Sequence, residues 1–331
     1  MSTTYDSILA ALGNIANPGG AGDIVSSGRA SPPKYADGVV TLLVDATGLS
    51  AHAASDLEAG IRSALADLPE VREVRVALNA ERVHRRIIAV GSGKGGVGKS
   101  TVSANLAVAL ARGGRKVGLV DADIYGPSQP RLMGSNEKPM AANKQIIPVE
   151  AHGVRMLSIG QLVKPDSALA WRGPMASNAL GQLLDGDWGD VEWLIVDLPP
   201  GTGDVQLSLM QKWKPAGAVI VSTPQDLALI DAARAIDLFR KMDVPLLGLI
   251  ENMAGYICPH CGQPSEPFGL GGAEAEAKRL DIPFLGRVPL TLAIREASDA
   301  GIPPAAGEGE AARLFAGLAA RVADRLNQVA P

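Results

Sequence analysis

Apolar positions in the first 80 residues recur at two spacings. Leu57, Ile61, Leu65 and Leu68 fall at i, i+4, i+8 and i+11, the stripe of an amphipathic helix. On either side, VVTLLVDA (39–46) and VREVRVAL (71–78) read as strands, with Val71, Val74 and Val76 on or near alternating positions. A further helix is predicted from Ser7 to Ala16, stopped by Asn17-Pro18-Gly19-Gly20, and GRASPPKYADG (28–38) reads as turn. Together these predict a small α+β unit over residues 1–80, with a short basic connector at 81–86.

From Ile87 the pattern changes. Short apolar runs recur, each followed by a turn and a helical stretch: IIAVGS (87–92), KVGLVDAD (116–123), VRMLSIG (154–160), WLIVDLP (193–199), AVIVST (218–223), PLLGLIEN (245–252) and FLGRVPL (284–290). Strands alternating with helices predict βαβ units, hence an α/β fold with a mostly parallel sheet flanked by helices over 87–331. The last stretch reads as a closing helix, with Leu314, Leu318, Val322 and Leu326 on one stripe.

Composition narrows the class. Of 331 residues, 47% are apolar and 20% charged, enough for a buried core and against a disordered chain. The net charge is −4, which argues against a nucleic-acid partner. No run of 18 apolar residues occurs, so no membrane span is expected. MSTTYDSILAAL lacks a basic start and carries Asp6, unlike a signal peptide; a cytoplasmic protein is the expectation.

The richest segment is IIAVGSGKGGVGKST (87–101), an apolar strand entering G-x-x-x-x-G-K-[ST] with VSANLAVALARGG following as helix. Gly93, Gly95, Gly96 and Gly98 let the backbone turn tightly and aim N–H groups at phosphate oxygens, and the helix N-terminus adds its dipole. Lys99 is placed to bridge β- and γ-phosphates, and the Ser100 hydroxyl to ligate Mg²⁺. Val97 and Thr101 complete the nucleotide-binding set. GLVDADIYGPS (118–128) ends a strand with two carboxylates, Asp121 and Asp123. WLIVDLPPGTGD (193–204) sets Asp197 at a strand tip, as a carboxylate near Mg²⁺ should be. Asp204 is either a switch contact or the cap of a helix starting at Val205.

With Lys94 ahead of Gly95-Gly96, the loop resembles the deviant Walker A class of MinD, ParA and the nitrogenase iron protein. The resemblance implies that Lys94 reaches phosphates in the partner subunit of an ATP-sandwich homodimer. It implies that Asp123, in switch I, orients the attacking water, and that Asn252 reads adenine. The catalytic set is then Lys94, Lys99, Asp123 and Asp197.

Both cysteines, Cys258 and Cys261, lie in GYICPHCGQPSEPFG (255–269), read as a loop after the Asn252 strand. A thioredoxin-type pair wants a helix at the motif, and Gly262 and Pro264 oppose one. Zinc needs four ligands and a [4Fe–4S] cluster four thiolates, so either demands a pair from each of two chains. His260, between the cysteines, reads as incidental.

The order GKGGVGKST, DADIYGPS, DLPPGTGD, CPHCG resembles the Mrp/ApbC branch over 87–331. That implies an ATP-dependent carrier holding an iron–sulfur cluster, of the [4Fe–4S] type, at a homodimer interface. It further implies delivery to apoproteins and dealings with cluster scaffold proteins. Residues 1–80 resemble the small DUF59-type domain often fused ahead of such proteins. The loop that carries a cysteine in stand-alone relatives reads GLSAHAASDLEA (48–59) here, so a docking role is expected. The alternative is a ParA/MinD-type positioning ATPase with a structural zinc at the cysteine pair.

Overall fold

The computed structural model describes residues 4–18, 20–80, 85–142, 145–162 and 173–329. The chain divides into two compact units, with the first break at His84/Arg85; residues 141–144 and 187–190 group with the first unit.

In the first unit, α1 (Thr4–Gly13) precedes β1 (Lys34–Ala36), β2 (Val39–Asp45), α2 (Ala51–Ala66) and β3 (Glu73–Asn79). β2 and β3 pair in parallel across α2, and β1 adds an antiparallel edge. Leu57, Ile61 and Leu65 of α2 are buried against Ile8, Leu12, Val40, Leu42 and Val44. Each such side chain contributes about 2 kcal/mol by leaving water. Leu68 lies beyond the helix end but packs on the same core.

Four expectations are corrected. The first helix ends at Gly13, because Asn14 and Ile15 bond back to Ala11 and Leu12 in a tightened last turn, and Ala16 instead bridges to Asp23. Tyr35 and its neighbours are strand rather than turn, paired through Tyr35↔Val40. Residues 48–59 are mostly helix: Ser50 caps α2 by accepting from the Ala53 N–H at 3.0 Å. Of the predicted connector, residues 81–84 lie outside the described residues, and Arg86 is already the first residue of a strand, its N–H donating to Glu192.

The second unit opens with β4 (Arg86–Gly91), α3 (Lys99–Arg112), β5 (Val117–Asp121), α4 (Gln129–Leu132) and two three-residue strands, β6 (Met140–Ala142) and β7 (Gln145–Ile147). It continues with β8 (Val149–Ala151), β9 (Val154–Ser158), α5 (Ile159–Leu162), α6 (Gly173–Leu184), β10 (Trp193–Asp197), α7 (Asp204–Trp213), β11 (Gly217–Ser222) and α8 (Asp226–Lys241). The last elements are β12 (Leu246–Ile257), β13 (Pro264–Ser265), α9 (Gly272–Arg279), β14 (Phe284–Leu290), α10 (Leu292–Asp299) and α11 (Glu310–Val329). The main sheet runs β13-β12-β11-β4-β10-β5-β9-β8, with β14 also on β12. Only β8 and β13 pair antiparallel to their neighbours.

The central strands β5, β10 and β11 are buried along their whole length, which is why they read as unbroken apolar runs. Helix α3 is buried over Val102–Leu110, and α11 presses Phe315, Leu318, Val322 and Leu326 into the same core. What matters for chemistry is register. β10 is set so that Asp197 lies beside Asp121 on β5 and beside Val90 on β4. The carboxyl ends of three parallel strands therefore deliver two aspartates and the glycine loop to one edge.

Candidate nucleotide and metal site

The glycine loop occupies 92–98 between β4 and α3. Gly98 caps α3 in a left-handed conformation (φ 79°) with no side-chain cap, leaving the first N–H groups of the helix for an anion. Gly93 is required by space: a Cβ there would lie 2.0 Å from the carbonyl carbon of Asp231 in α8. Val97 is buried, and its carbonyl accepts from Asn252 Nδ2 at 2.8 Å. Ser92 Oγ donates to the Lys94 carbonyl at 3.0 Å. The ammonium of half-buried Lys94 pairs with no carboxylate among the described residues.

Lys99 Nζ sits 2.6 Å from Asp197 Oδ1, both buried. Ser103 Oγ lies 2.8 Å from the same oxygen. Asp197 Oδ2 accepts from Gln129 Nε2 at 2.9 Å. Asp121 Oδ2 accepts from the N–H groups of Ser128 (2.9 Å) and Gln129 (3.0 Å) and from Ser158 Oγ (2.9 Å). Burial and the neighbouring Asp197 push the Asp121 carboxyl up to about 7. Asp123, half-buried, is raised by desolvation, with Lys99 opposing. Its Oδ1 accepts from the N–H groups of Tyr125 (3.2 Å) and Gly126 (3.3 Å), folding the loop after β5.

Loop 198–203 is tied to the glycine loop: the Gly201 N–H donates to Ser92 O at 2.9 Å, and Pro200 faces Gly95. Gln206 Nε2 holds the carbonyls of Pro199 (2.7 Å) and Gly201 (3.1 Å). Asp204 is exposed in the first turn of α7, whose cap is Gly203.

Hard oxygen donors surround this point, as a divalent cation needs. Buried Gln129 Oε1 and Ser128 Oγ have no hydrogen-bond partner among the described residues. Orphaned acceptors beside two buried carboxylates and the Ser100 hydroxyl fit hydrated Mg²⁺. Ser100 and Asp197 would hold it, and it would supply positive charge to the phosphates.

Asn252 is not the end of its strand. β12 runs on to Ile257 through a kink where Met253 (φ 58°) and Gly255 (φ 72°) take left-handed conformations and the register against β14 shifts. The cysteines therefore occupy the tip of the β12–β13 hairpin rather than an open loop, which corrects the sequence reading. Tyr256 pairs with Ser265, and the tip is closed by Cys258 N–H to Gln263 O (3.0 Å) and Gly262 N–H to Cys258 O (2.9 Å). Both thiols are free, Cys261 exposed and Cys258 partly so. The N–H groups of Cys261 and His260 point at the Cys258 sulfur and lower its pKa, favouring the thiolate that binds metal. Among the described residues, no group of three His, Cys, Asp or Glu side chains could hold a metal ion.

Gln129 and Gln206 are the site residues that sequence reasoning missed. A signal existed for Gln206, a polar residue on the buried stripe Gln206–Leu209–Met210 of α7. Gln129 sits in a four-residue helix, too short for periodicity to show. A separate cavity of about 610 Å³, lined by Ala109, Arg112 and Ala319 among others, lies at the opposite end of α3 and holds none of these residues.

Strand, glycine loop, buried helix and facing carboxylates define a P-loop ATPase with a mostly parallel sheet. A family model described as NUBPL iron-transfer P-loop NTPase matches residues 83–323, and one described as iron–sulfur cluster assembly protein matches residues 5–77. The chain belongs to the NUBPL iron-transfer P-loop NTPase family. It is 43% identical to an iron–sulfur cluster carrier protein of Deinococcus radiodurans, over 97% of this chain and 95% of that one. A nucleotide-binding protein of Archaeoglobus fulgidus, solved with ADP and with cobalt found, is 38% identical with a TM-score of 0.60, covering 70% of this chain and 91% of its own. The cell-division ATPase MinD of Pyrococcus furiosus is 26% identical with a TM-score of 0.55, covering 72% and 98%. No helix among the described residues is long and apolar enough to cross a membrane.

Proposed function

We propose that this chain carries iron–sulfur clusters under the control of ATP. Cys258 and Cys261 of each of two chains would hold one [4Fe–4S] cluster as cargo and pass it to apoproteins, having received it from a scaffold protein. The observation that carries the reading is the hairpin tip. It presents two free thiols, one drawn toward thiolate, on the strand whose Asn252 grips the glycine loop. Two thiols are half of what a cluster needs, so a second copy completes the site.

In this reading Lys99 and the N–H groups of the glycine loop bind the phosphates, Ser100 and Asp197 hold Mg²⁺, and Asp123 orients water. Half-exposed Lys94, without an acidic partner among the described residues, would reach the nucleotide of the other chain. Asn252 faces adenine on one side while its amide holds Val97. The coupling runs along β12: a change at the glycine loop moves Asn252, and beyond the kink at Met253 the same strand ends at Ile257, next to Cys258. Residues 1–80 serve as a docking module ahead of the ATPase region 87–331, and the carrier works in the cytoplasm. The ParA/MinD alternative is less well supported, because α11 spends its apolar face in its own core.

Anaerobic reconstitution tests the reading. Wild-type protein should take up about two iron and two sulfide per chain, and Cys258→Ser with Cys261→Ser should take up neither while binding ADP normally. Colourless wild-type protein with about half a zinc per chain would overturn it in favour of a structural clamp.

A further inference from the structure

Gln129 is fully buried and lies where three elements meet. Its side-chain Nε2 donates to Asp197 Oδ2 on β10 (2.9 Å) and to the Ser100 carbonyl on α3 (3.0 Å). Its backbone N–H donates to Asp121 Oδ2 on β5 (3.0 Å). The orientation of the amide follows from chemistry: both contacts are acceptors, so the nitrogen must face them. Both N–H bonds of the amide are then used, and Oε1 is left buried without a partner, as is Ser128 Oγ next to it. A buried acceptor of this kind asks for a donor.

The neighbours say which donor. Lys99, the charged partner of Asp197, is also the residue the phosphates would claim. When a nucleotide draws the ammonium away, Asp197 keeps its place only through neutral groups, Gln129 and Ser103. A carboxylate held by neutral donors retains its charge for a cation, and the water shell of a hydrated cation supplies hydrogen-bond donors to a bare carbonyl. We propose that Gln129 is a positioning residue for Mg²⁺: its Nε2 aims Asp197 at the cation while its Oε1 accepts from a cation-bound water. It thereby ties the loop that follows β5 to the metal. The assignment concerns the ATPase centre and stands whether or not the cysteines carry a cluster.

The test is Mg²⁺ dependence of nucleotide binding in the full-length protein. Gln129→Met keeps the volume and removes the amide. Its affinity for ADP without Mg²⁺ should stay within about twofold of wild type, and its half-saturating Mg²⁺ concentration should rise about tenfold, as loss of a hydrogen bond to a charged group allows. In ATP turnover, kcat at limiting Mg²⁺ should fall and be recovered by excess Mg²⁺, a rescue that a merely structural defect would not show. Gln129→Asn, one methylene too short to span Asp197 and Ser100, should behave alike and carries the test if the Met variant does not fold. Wild-type Mg²⁺ dependence in a folded variant of either kind would overturn the assignment.

Discussion

Asp121 is a carboxyl group wholly removed from water. It is buried beside Asp197, and its ordinary value of 3.8 is raised to about 7. Between those limits the folded chain keeps a proton that the unfolded chain has released, so this group's contribution to stability is present at low pH and is lost as pH rises through about 7. In nucleotide-free protein, the melting temperature of wild type should therefore fall from pH 5 to pH 8 more than that of Asp121→Asn. Equal slopes in calorimetry would contradict this. At this scale the sequence was legible wherever a motif named the atom: Lys99, Ser100 and Asp197 meet within one hydrogen-bonded cluster. It was silent on Gln129, because nothing local marks a glutamine in a four-residue helix as the bridge between distant strands.

Among elements, contact between the glycine loop and α8 sets the tightest tolerance. A side chain at Gly93 would strike the backbone of Asp231 and Ala232, whereas one at Gly96 meets open space and only the strain of φ 80°. That strain is about 1–2 kcal/mol. Gly93→Ala should thus weaken ADP binding by an order of magnitude or more and lower the melting temperature, with Gly96→Ala the milder of the two. Near-identical affinities for the two variants would refute the packing argument. The strand periodicities foretold β4, β5, β10 and β11 closely, since buried parallel strands are plain apolar runs. They failed for β12, because Glu251, Asn252 and the bend at Met253–Gly255 look like a strand's end. Pairing with β14 and β13 carries the strand on to Ile257.

At the level of the molecule, each of the two units has its own apolar core, one built on α2 and its parallel pair, the other on α3 and the large sheet. The four motifs spread over the second unit were legible as a set, and register explains why: parallel pairing brings Asp121 and Asp197 side by side on the strand edge that carries the glycine loop. The cysteine pair was legible only as half of a candidate site, because four ligands are needed and one chain offers two thiols. The sharing of one cluster by two chains is the central claim, and native mass spectrometry of anaerobically loaded, full-length protein tests it most directly. The account predicts a species of twice the chain mass bearing a single cluster of about four iron and four sulfide, reverting to single chains when the cluster is stripped. A complete cluster on a species of one chain's mass would contradict it.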